Sequence, residues 1–96
     1  MNVVSGDRRI AVGWDEGEWH LLNAGYDFAR LGLAPSERDT FRRLLIGESV
    51  SIEEASRLEA GLRQVAPTLL APAPARVMVA AELVGRAVGE HRSQPV

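Results

Sequence analysis

Ser36-Glu37-Arg38-Asp39, then Leu44-Leu45-Ile46-Gly47, then Ser51-Ile52-Glu53-Glu54 punctuate the middle of the chain. The first segment reads as a helix start. Gly47, following apolar residues, reads as a stop. The third is a capping box: Ser51 can accept from a free backbone N–H of the first turn, and Glu54 can reach back to the N–H of Ser51. The spacing predicts a helix over about 36–46 that buries Phe41, Leu44 and Leu45, a tight connection, and a helix over about 52–65. Ala55, Leu58, Leu62 and Val65, at spacings of three, four and three, form the core row of the latter. Glu53–Arg57 and Glu59–Arg63 are spaced for i,i+4 ion pairs in the favourable order.

Upstream, Asp15-Glu16-Gly17-Glu18 is another capping box and opens a helix expected to reach about Leu31, with Gly32 as its stop. Glu16, His20, Asn23, Asp27 and Arg30 form its polar stripe. Trp19, Leu21, Leu22, Tyr26, Phe28 and Leu31 occupy most of the rest, an arc wide enough to predict a helix enclosed by protein. Pro35 separates this helix from the next. Before it, Val3-Val4, the turn cluster Ser5-Gly6-Asp7 and the alternating Ile10, Val12 and Trp14 suggest a small β-hairpin over 2–14.

Downstream, 66–74 carries three prolines and is expected to be a stiff extended strap, with Leu69 and Leu70 anchoring it. The fourth helix is expected over about 75–90. Val77, Ala80, Ala81, Leu83, Val84, Ala87 and Val88 cover well over half of its circumference. Ala81, Gly85 and Gly89 recur every four residues, a spacing that lets another backbone approach closely. This helix is therefore read as either the centre of the fold or a self-association surface. The expected fold is mainly α (α+β): a short N-terminal β-hairpin or strand followed by a four-helix orthogonal bundle, one domain over 1–92 with a disordered tail over 93–96.

Composition narrows the function. At 96 residues with 46% hydrophobic and 25% charged residues, the chain is sized for one globular core. The formal charge of −2 is a poor match to bulk nucleic-acid binding. Cysteine is absent, which excludes disulfides, thiolate nucleophiles and Cys-ligated zinc. All 11 basic residues are arginine, which excludes Schiff-base and P-loop lysines. No segment reads as a secretory signal or a membrane span, and a cytoplasmic location is the default.

Glu16 and His20 at i,i+4, with Asp27 on the same face, have metal-ligand or acid–base spacing, but they also make an ordinary solvated stripe with an Asp27–Arg30 pair. Arg38 and Arg42 share a face of the second helix; with Arg8, Arg9 and Arg43 they are anion-binding candidates, offset by Glu37 and Asp39. Trp14, Trp19, Tyr26, Phe28 and Phe41 are the aromatics; the core of so small a domain needs them, and Trp14 at the hairpin–helix corner is the one expected to be partly exposed. Nucleophile-elbow, phosphate-loop and His-Glu-x-x-His patterns are missing, so no enzyme, cofactor or metal is expected.

Residues 44–61 carry Val50-Ser51 and Ser56-Arg57-Leu58-Glu59-Ala60-Gly61, an order that resembles the two-helix segment of phage-repressor-type helix-turn-helix domains. The resemblance implies a DNA-binding regulator with Ser51, Ile52, Glu53, Ser56 and Arg57 toward the major groove. It departs from the pattern at Leu45, at Gly47-Glu48-Ser49 in the turn, and in the acidity of Glu53 and Glu54. The leading expectation is a small noncatalytic protein-interaction module, a regulator or inhibitor of a larger protein and a homodimer. Its expected contact residues are Val79, Leu83, Gly85, Arg86 and Gly89 on the fourth helix, together with Arg38, Arg42 and Trp14.

Overall fold

The computed structural model describes residues 1–93. The chain is mainly helical, with an N-terminal antiparallel strand pair and four helices. Strands β1 (Asn2–Gly6) and β2 (Arg9–Gly13) form the hairpin, in the register Val3↔Val12 and Ser5↔Ile10. Ile10 and Val12 point inward, as the alternation predicts. A third strand, β3 (Val50–Ser51), adds to β2 through Ile10↔Val50 and Arg9↔Ser51. Sequence reading missed it because it is two residues long and ends in the N-cap of a helix. This pairing and the helices packed against the hairpin supply the support a two-stranded ribbon lacks alone.

Helix α1 (Glu16–Ala29) starts on the Asp15–Glu18 capping box, with both hydrogen bonds formed at 2.8 and 3.0 Å. It ends two residues earlier than expected, at the C-cap Arg30. Helix α2 (Pro35–Leu45) begins at Pro35, one residue before the predicted start, because proline's fixed φ suits a first helical position. Leu45 is only half-buried, and Thr40 takes a buried place beside Phe41 and Leu44. Gly47, at φ +81°, makes the left-handed turn that ends this segment. Helix α3 (Ile52–Val65) has the predicted bounds, cap and core row.

The strap is not extended. It forms a single 3₁₀ turn (Ala66–Thr68), and the last helix, α4 (Ala73–Ser93), begins within it, with Pro74 tolerated in the first turn. Leu69 is half-buried against the core, but Leu70 is 89% exposed and anchors nothing. Helix α4 continues through Ser93, past its expected end at about 90 and into the first residue of the expected disordered tail; residues 94–96 lie outside the described residues.

Helix α4 is the centre of the fold. It lies against α1 and α3 and touches the hairpin and the 3₁₀ turn. Ala73, Val77, Ala80, Ala81, Leu83, Val84, Ala87 and Val88 are all buried by the chain itself. Helix α1 departs from its expected enclosure: only Leu22, Gly25 and Ala29 are buried. Its contact with α4 runs along a line of small residues. A β-carbon built at Gly25 would lie 2.6 Å from Cβ of Ala80 and 3.1 Å from the carbonyl oxygen of Arg76. That close approach leaves no room for a side chain at Gly25; with Leu22, Gly25 and Ala29 turned inward, Trp19, Leu21 and Phe28 face outward. Helices α2 and α3 meet similarly at Gly61, over which the Glu37 carboxylate lies.

Candidate functional site

The outward apolar face of α1 and the junction of α1 with α2 are the most distinctive surfaces. Gly17, Leu21, Ala24 and Phe28 fall on one side of α1 at spacings of four, three and four, and Leu31 follows three residues on. Leu21 is 40% exposed, Phe28 44% and Leu31 84%. Trp19, on another side of the helix, is 43% exposed and edge-on to His20. The four-three repeat is the spacing by which one helix presents a seam to another protein surface. It was present in the sequence, but counting these residues as core concealed it.

Leu31 also lines an open cleft of about 430 Å³ between the end of α1 and the face of α2, with Tyr26, Arg30, Pro35, Arg38, Asp39 and Arg42. The Arg38–Arg42 face read from the sequence is therefore joined by Arg30, whose arrival depends on the turn between the helices. Tyr26 is held edge-to-face on buried Phe41, with ring centroids 5.2 Å apart. Arg38 Nη1 donates to the carbonyl oxygen of Arg30 at 3.4 Å, linking the two helices. Asp39 is engaged by Arg43, through Nη2 at 2.8 Å and Nε at 3.0 Å. Among the described residues, Arg30, Arg38 and Arg42 have no carboxylate within ion-pairing distance. The cleft thus keeps three unneutralised guanidinium groups beside an exposed leucine.

The remaining candidates fall elsewhere. Trp14 is half-buried, and its indole N–H donates to the carbonyl of Leu44 at 3.0 Å, pinning the hairpin–helix corner to the end of α2. On α4, Leu83 is 5% exposed and Val79 is half-buried. Gly85 receives α3 from within the chain: a β-carbon there would meet Glu59 Oε2 at 2.7 Å. Arg86 and Gly89 are exposed, and the space at Gly89 is open. Over Gly85 lies the Glu59 carboxylate of α3, a side-chain end rather than the helix backbone that the spacing of small residues predicts.

His20 and Glu16 lie 3.8 Å apart on the open surface, and among the described residues no group of three or more metal-ligating side chains exists. The predicted Glu59–Arg63 pair is formed at 3.1 Å, whereas Glu53 lies 3.9 Å from Arg8 rather than pairing with Arg57.

Residues 44–61 do not present a free helix start. Ser51 is at once a strand residue and the cap of α3, and the N–H of Ile52 donates to the carbonyl of Arg8 at 2.9 Å. Ser56 turns its hydroxyl into the protein, where it has no hydrogen-bond partner. The Glu54 carboxyl is held below the usual glutamate range, chiefly by the Ser51 N–H, with Arg43 and Arg9 adding to the effect. A fixed negative charge therefore stands at this helix start, where a DNA phosphate would need a positive one.

No protein-family model, curated protein or solved structure matches the chain. Among the described residues no helix is long and apolar enough to cross a membrane.

Proposed function

We propose that the chain is a noncatalytic protein-interaction module that docks a larger protein through α1 and the α1–α2 junction. One observation carries this reading: the seam of Leu21, Phe28 and Leu31 stays uncovered and ends beside three unpaired arginines. Exposed apolar side chains with arginines at their edge match the composition of protein interfaces, in which aromatic residues and Arg are enriched. The partner that fits is a protein segment with an apolar face and adjoining negative charge. This places the contact on α1 and α2, where Arg38 and Arg42 remain in it, rather than on α4, whose apolar side chains are needed for the fold.

The test compares wild-type chain with Phe28→Glu and Leu31→Glu in pull-downs from the native cell read by mass spectrometry. Circular dichroism establishes that each variant is folded. Proteins held by wild type and lost from both variants support the reading. Identical captured sets overturn it. Light scattering on the same samples distinguishes the remaining occupant: a dimer that Phe28→Glu dissociates assigns the seam to a second copy of the chain.

A further inference from the structure

We infer that the Arg30–Arg38–Arg42 cleft is a phosphate-monoester site and reads a phosphorylated side chain on the protein that docks against α1. The inference rests on the docking reading and adds to it the chemistry of the partner.

The pattern of ion pairing is the first support. Arg43 is matched to Asp39 at 2.8 Å and Glu54 at 3.7 Å, and Arg63 is matched to Glu59 at 3.1 Å. Arg9 is tied to Ser49, through its hydroxyl at 3.1 Å and its carbonyl at 2.9 Å. The cleft's own carboxylate, Asp39, is paired with Arg43; among the described residues Arg57, Arg76, Arg86 and Arg92 also lack a carboxylate partner, but Arg30, Arg38 and Arg42 are brought together to line one cleft.

Charge and shape give the second support. Arg30, Arg38 and Arg42 put three positive charges on the cleft, and its one carboxylate, Asp39, is already paired with Arg43. A phosphate monoester carries about −1.5 to −2 at neutral pH, whereas a carboxylate supplies only one negative charge. Guanidinium forks match phosphate oxygens in pairs, which a point charge does not. A volume of about 430 Å³ lies within the size range of ligand pockets and exceeds what a lone anion needs. Tyr26, Leu31 and Pro35 supply apolar walls for the residue that carries the phosphate.

The experiment titrates the full chain with inorganic phosphate, O-phosphotyrosine, O-phosphoserine and unmodified tyrosine. Binding is followed through the arginine Nε–Hε signals in NMR. Saturable shifts confined to Arg30, Arg38 and Arg42 are expected, with a phosphorylated amino acid bound at least about tenfold more tightly than tyrosine. Arg42→Gln and Arg38→Gln should each weaken that binding about tenfold, and Arg57→Gln and Arg76→Gln should leave it unchanged. Equal shifts at all exposed arginines, or none, overturn the inference. So does duplex DNA binding lost on Arg42→Gln. Phosphatase treatment of the lysate separates the two readings. Capture that survives it, yet still needs Phe28, removes the phosphate site and leaves the docking face. Capture that it abolishes, but that Phe28→Glu does not alter, removes the docking face.

Discussion

Gly25 of α1 lies against Ala80 of α4 so closely that a β-carbon at Gly25 would come within 2.6 Å of the alanine methyl. This contact sets how α1 lies on the central helix, and hence which of its side chains face water. Gly25→Ala must push the two helices apart. The gain in helix propensity, about 1 kcal/mol, is outweighed by an overpacking cost of about 1–3 kcal/mol. A net loss of stability is expected in urea unfolding. Gly89→Ala is its control: the added methyl meets nothing within 4 Å, so the propensity gain of up to about 1 kcal/mol should appear as stabilisation.

Trp14 joins the hairpin to the end of α2 through one hydrogen bond, from Nε1 to the carbonyl of Leu44 at 3.0 Å. Trp14→Phe keeps a ring and removes the donor. The carbonyl retains a weaker partner, the N–H of Gly47 at 3.3 Å, so the acceptor is not orphaned. The expected loss is about 1–2 kcal/mol, from the missing bond and the smaller ring. The free indole required by an interface role for Trp14 would leave stability unchanged, so thermal unfolding decides between anchor and contact.

Glu54 links stability to pH. Its folded-state pKa is lowered from 4.5, first by the Ser51 N–H; burial, second in size, opposes this, and the Ser51 hydroxyl, Arg43 and Arg9 add to the lowering. The unfolded chain therefore binds this proton more readily than the folded one. Stability from this group is present above the ordinary glutamate value and is lost as pH falls through the depressed folded value. Glu54→Gln should be less stable at neutral pH and show a flatter decline in urea midpoint between about pH 5 and pH 3. An unchanged slope would mean that the cap does not depend on the charge.

What was legible in the sequence follows the range of the interactions involved. The Asp15–Glu18 and Ser51–Glu54 boxes act over three residues, and both formed as read. Helix α3 kept its predicted bounds because its cap and its core row agree. The reading failed where the answer depends on which element arrives from elsewhere. Apolar content alone made α1 and α4 look alike. Helix α4 took the first of its two expected places, the centre, while α1 settled on it with Leu22, Gly25 and Ala29 inward and Leu21 and Phe28 outward. Strand β3 exists because β2 is there to pair with it. The cleft was half visible: the i,i+4 spacing of Arg38 and Arg42 put both on one face, but no spacing rule brings Arg30 across the turn to join them.

The departure of α1 from its expected enclosure makes an opposed pair of expectations within one helix. Leu22 is 1% exposed and packs into the common core, whereas Phe28, two turns later, is 44% exposed. Leu22→Ala removes buried methyl groups and leaves a cavity, which should cost about 2–5 kcal/mol. Phe28→Ser removes a larger side chain, yet nearly half of that residue already faces water, so the change should cost clearly less, about 1 kcal/mol. Urea unfolding of both variants checks this directly. Equal, large losses would mean that α1 is wrapped by protein on its outer side too, and the uncovered seam on which the docking face depends would not exist. A small loss for Phe28→Ser together with lost partner capture would separate the two duties of α1: the line of Leu22, Gly25 and Ala29 that holds it to the core, and the line of Leu21 and Phe28 that faces outward.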